Sequence, residues 1–167
     1  HAKLLLTEGN VELLALTYHE VGSEIEDYKR WVDLALLHNP DTVFVIQAPW
    51  PTKQGKPLAE YEAKAEENLQ NNHSIIDTLR QDYPSSIFMG VPQCLWMVEL
   101  WKLYEDDELP ELKQLVGPAS DSLFRDSFGH GGDLAENEGV FLWLNVLYGI
   151  DLNTYDCETT TEYDLKA

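Results

Sequence analysis

Cysteine and basic side chains are the scarce components of this sequence. Cys94 and Cys157 are its two thiols, too few for a disulfide framework and not at any zinc-binding spacing. One bridge tying down the tail and two free thiols both remain open on spacing alone. Only 11 Lys and Arg stand against 30 Asp and Glu, a net charge of −19. So little positive charge argues against nucleic acid and anionic membrane surfaces as partners. No apolar run reaches the roughly 18 residues of a membrane span. No secretory leader is visible and the first residue is His1 rather than Met, which reads as a processed or truncated product. Acidity and the shortage of cysteine favour an extracellular or periplasmic setting.

What is present is a core. The 167 residues are 44% hydrophobic and 11% aromatic, enough for one folded domain rather than a disordered chain. Three β-branched apolar runs, Val11–Thr17, Thr42–Gln47 and Ile87–Val91, read as strands covered on both faces. Between them, Ile25, Tyr28, Trp31, Val32, Ala35 and Leu36 recur at helical spacing, and the helix ends before Asn39-Pro40. A second, more polar helix runs from Tyr61 to Tyr83, and a third covers Leu95–Tyr104. A fourth, Leu134–Tyr148, is apolar nearly all round and is expected to be heavily buried. Trp96, Trp101 and Trp143 are core candidates. Strands alternating with such helices predict an α/β fold built on a parallel sheet. Three strands make a thin sheet, so one or two further strands are expected, most simply ahead of His1. Residues 1–152 form the expected domain and 153–167 a C-terminal tail.

Ligands of open parallel sheets bind beyond the carboxyl ends of the strands, which selects the loops starting at Tyr18, Ala48 and Pro92. The most informative stretch precedes the last helix: Phe124-Arg125-Asp126-Ser127-Phe128-Gly129-His130-Gly131-Gly132-Asp133. A carboxylate and an imidazole a few residues apart, among glycines, can form the acid–base half of a catalytic triad. The plainer reading is that Asp126 or Asp133 caps the helix and His130 is a surface loop residue.

The stretch LFRDSFGHGGDLAENEGVFLWLNVLYGIDL resembles the closing block of SGNH (GDSL-type) hydrolases, in which an Asp-x-x-His motif precedes a long apolar helix. WVDLALLHNPDTVFVIQAPWP resembles a bacterial subgroup of that superfamily. The resemblance covers most of residues 11–152. It implies a three-layer, flavodoxin-like α/β sandwich, truncated at its N-terminus, that hydrolyses esters, often acetyl groups on carbohydrate, without a cofactor or metal. Asp126 and His130 would be the acid–base half of the triad. The family's serine lies in a Gly-Asp-Ser segment that this sequence lacks, so the nucleophile is expected upstream of the chain. Ser23 is better read as a helix N-cap, with Glu26 completing a capping box. The family spaces its acid three residues before the histidine, whereas Asp126 lies four before His130. Its Gly-x-Asn-Asp oxyanion motif is replaced by Tyr18-His19-Glu20, where His19 is either a substitute donor or a loop residue.

Gln47 and Trp50 flank the same rim at the carboxyl end of the second strand and, with His19, are the candidate oxyanion or substrate-binding residues. Trp50 is either a stacking surface for a sugar or a packed anchor between prolines. His38 and His73 fall on helices and suit surface roles. His1 invites comparison with copper histidine-brace enzymes, but those are β-sandwiches, and no metal site is expected. The expected partner is a small-molecule or glycan ester, with the nucleophile supplied from outside the sequence. The alternative is a non-catalytic protein that binds a glycan or protein, or an assembly subunit whose sheet a second copy or partner chain completes.

Overall fold

In the computed structural model, residues 1–18, 24–152 and 154 are described. Among them the chain forms an α/β fold compatible with the flavodoxin-like class. It divides into two compact units: His1–Pro49 with Asn68–Pro92, and Trp50–Glu67 with the residues from Gln93 onward.

The first unit holds a three-stranded parallel sheet of order β1-β2-β3, from Leu13–Thr17, Val43–Gln47 and Phe88–Val91. Leu14 pairs with Phe44 and Ile46 with Gly90 along the ladder. A short helix α1 (Ala2–Thr7) precedes the sheet. Helix α2 (Ile25–His38) joins β1 to β2, and α3 (Leu58–Asp82) lies between β2 and β3 in the chain. A parallel pair needs such a crossover, because each strand must start again from the same end.

The helices supply what the sheet must bury. Tyr28, Val32 and Ala35 of α2 and Ile76 and Leu79 of α3 form one core cluster with Phe44, Ile46 and Phe88. Phe44 stacks on Phe88 with centroids 5.0 Å apart. Val45, on the opposite face of β2, is equally buried, so both faces of the central strand are covered. β1 departs from expectation. Its apolar run is as continuous as that of β2, yet Leu13, Ala15 and Thr17 are exposed. Among the described residues β1 pairs with β2 alone. An edge strand with one open face does not gain the cover that a continuous apolar run anticipates.

The second unit is built round Tyr61, Trp101 and Phe124, whose ring centroids lie 5.1 to 5.8 Å apart. Trp101 belongs to α4 (Gln93–Glu105). Phe124 ends β5 (Ser122–Phe124), which pairs in parallel with β4 (Gln114–Val116). Trp101 is fully buried as expected, while Trp96 and Trp143 are half-buried. Cys94 is a buried free thiol whose pKa burial pushes up to about 11; Cys157 lies outside the described residues. The last helix, α5 (Asp133–Tyr148), ends on Gly149 in the left-handed conformation. Its burial is lopsided. Leu134, Ala135, Glu138 and Gly139 are buried, but Val140 is 50% and Tyr148 73% exposed. The expectation of a heavily buried helix therefore holds for its first half alone.

Candidate functional site

The loop between β5 and α5 is an antiparallel reversal, and that geometry explains its chemistry. Phe124 bridges Gly131, the Arg125 N–H donates to the His130 carbonyl at 2.9 Å, and the Gly132 N–H donates to the Leu123 carbonyl at 2.7 Å. The four residues Asp126–Gly129 make the turn, closed by the Gly129 N–H on the Asp126 carbonyl at 3.2 Å. Asp at the first position of a β-turn is favoured because its side chain can accept from the backbone two residues on. Asp126 Oδ1 accepts from the N–H groups of Phe128 and Gly129 at 3.0 Å and of His130 at 3.3 Å.

Those three donors occupy one carboxylate oxygen and leave the other for His130. Asp126 Oδ2 lies 2.5 Å from His130 Nδ1. The spacing of four residues is therefore bridged by a turn, with no helix needed. The His130 hydrogen bond, followed by the backbone donors at His130 and Gly129, holds the Asp126 carboxyl below its ordinary pKa. An ionised carboxylate only accepts, so Nδ1 must carry the proton. Nε2 is then the unprotonated nitrogen of the neutral ring, the state a general base requires. The His130 side chain is 61% exposed, so a reacting group can approach it.

Neither aspartate caps α5. Its N-cap is Gly132, with no side-chain cap bond, and Asp133 is the first helical residue. A Cβ on Gly132 would stand 2.0 Å from the Ser122 carbonyl oxygen, so only glycine fits where the loop enters the helix.

Trp50 is brought to this loop, as an anchor. Its indole Nε1–H donates to the Gly129 carbonyl at 2.9 Å. With Pro51, Thr52, Phe128, Gly129 and His130 it lines a shallow cavity of about 230 Å³. That is below the roughly 300–1,000 Å³ usual for drug-sized ligands, and it suits a small group. Phe128, 61% exposed beside His130, escaped the sequence reading; its one signal is an aromatic residue inside a polar, glycine-rich loop.

Gln47 is half-buried at the end of β2, where its Oε1 accepts from the Thr17 hydroxyl at 3.1 Å. His19 and Ser23 lie outside the described residues. The described N-cap of α2 is Glu24. His38 and His73 are exposed. Among the described residues no three His, Cys, Asp or Glu side chains converge as a metal site, and no helix is long and apolar enough to cross a membrane. No protein-family model, curated protein or solved structure matches the chain.

Proposed function

We propose that this chain carries the acid–base half of an SGNH-type ester hydrolase, with the nucleophilic serine supplied by residues outside this sequence. The observation that carries the reading is the 2.5 Å contact between Asp126 and His130 Nδ1 in an exposed loop. Asp126 fixes the tautomer and steadies the imidazolium. His130 Nε2 takes the proton of the serine hydroxyl and later returns it to the departing alcohol. The small cavity beside Phe128 and Trp50 suits a short acyl group such as acetyl, on carbohydrate or another alcohol.

The test is to read the residues encoded ahead of His1 and to assay the full translated product on p-nitrophenyl acetate. A strand ending in Gly-Asp-Ser, with turnover blocked by a serine-directed fluorophosphonate, supports the reading. Robust fluorophosphonate-sensitive turnover by the 167 residues alone would overturn it.

The exposed edge favours a second reading, an assembly protein whose sheet is completed by a strand from another chain. Among the described residues β1 pairs with β2 alone, Leu13 on it is 41% exposed, and unpaired edges recruit strands. Leu13→Lys would then abolish a higher-mass species in light scattering; an unchanged mass distribution excludes this reading.

A further inference from the structure

Lys53 is buried, 8% exposed, although lysines almost never are unless paired. It heads a tight turn, Lys53–Lys56, closed by the Lys56 N–H on the Lys53 carbonyl at 2.8 Å. Gln54 and Gly55 sit at φ 35° and 76°, the two positive angles of a type I′ turn. The Lys53 ammonium locks that turn from inside by donating to the Lys56 carbonyl at 2.8 Å. It also lies 4.5 Å from the centroid of the Trp101 ring. The Trp101 indole N–H in turn donates to Glu105 Oε1 at 2.9 Å, which draws electron density toward the ring face and strengthens its hold on a cation. Burial lowers the pKa of this ammonium, and Glu105 opposes that effect.

The locked turn grips the loop that carries the acid–base pair. The Lys53 N–H donates to the Phe128 carbonyl at 2.7 Å and the Gln54 N–H to the Ser127 carbonyl at 2.9 Å. With the Trp50 bond to Gly129, three consecutive carbonyls, at positions 127, 128 and 129, are held from one side. Gly129, at φ 102°, lies so close that a Cβ there would stand 2.7 Å from the Lys53 nitrogen.

We propose that Lys53 is a positioning residue for the Asp126–His130 pair, fixing the turn that holds the 127–129 backbone through its cation seated on Trp101. This rests on the reading of that pair as an acid–base unit. The mechanism is geometric: Asp126 Oδ1 is aimed by the N–H groups of residues 128–130. Their peptide planes are those whose carbonyls the 50–54 segment fixes. A loosened 53–56 turn lets those planes rotate and slackens the carboxylate that orients the imidazole.

The test is made on the full chain by NMR and needs no activity. In Lys53→Met, which keeps the side-chain volume but not the charge, the Asp126 carboxyl midpoint should rise toward the ordinary value of about 3.9. The 15N shifts of the His130 ring should show loss of the dominant Nδ1–H tautomer. Lys53→Arg should restore both. Glu105→Gln, at an exposed position, should shift both in the same direction and by less; it decides the matter should Lys53→Met not fold. An unshifted Asp126 midpoint and tautomer in folded Lys53→Met, or in Glu105→Gln if that variant alone folds, overturns the proposal. Shifts seen together with His130-independent turnover in the full product would remove the acid–base reading and leave the positioning role standing.

Discussion

Asp126 binds His130 twice, through its side chain at Nδ1 and through the backbone N–H of the same residue, one carboxylate oxygen for each contact. The backbone bond fixes where the carboxylate sits and the side-chain bond fixes which ring nitrogen is protonated. The spacing of four residues is accommodated because a β-turn lies between the two side chains.

Acid should undo this arrangement in a defined window. The folded-state pKa of Asp126 is depressed, so its contribution to loop stability is complete above the unfolded value of about 3.9. That contribution is lost as pH falls through the lower, folded value. Amide protection factors at Phe128, Gly129 and His130 should therefore fall below about pH 4, and Asp126→Asn should remove that acid step. A carboxyl midpoint at or above the ordinary value would contradict the assignment.

Gly129→Ala should cost about 1–3 kcal/mol in chemical denaturation, because a side chain at φ 102° is strained and would also meet Lys53. Gly55→Ala is the control. Its φ is 76°, but nothing lies within 4 Å of the added Cβ, so only the conformational cost of about 1–2 kcal/mol applies. Equal losses at the two positions would mean that the 53 and 129 segments are not in contact.

Trp50→Phe keeps most of the apolar ring and removes the N–H that holds the Gly129 carbonyl. The expected loss is about 1 kcal/mol, that of one ordinary hydrogen bond. Trp50→Phe should also speed amide exchange at Gly129 and His130 more than at β2. Full retention of protection there would make Trp50 a bystander.

The sheet was legible in the sequence because buried parallel strands write themselves as apolar runs, and Val43–Gln47 lies within one such run. The same signal overstated β1, since an edge strand and a central strand can carry equal hydrophobicity while only one is covered. It overstated α5 similarly, where Phe141–Tyr148, apolar apart from Asn145, is half-buried or exposed throughout. Strands β4 and β5, three residues each, are too short to show a period. The Asp126–His130 pair was legible because a carboxylate and an imidazole stand four residues apart among glycines in one loop. Lys53 was not: it acts through backbone N–H groups and a cation over Trp101, a residue 48 positions on. Nothing local in TKQGKP distinguishes it from a solvated lysine.

The proposed role of His130 as the base of an ester hydrolase is decided by p-nitrophenyl acetate turnover, compared between the full translated product and its His130→Ala variant. The variant should lose roughly three or more orders of magnitude in kcat/KM, with thermal unfolding nearly unchanged because the side chain is exposed. Turnover by the variant close to the parent's would contradict that role.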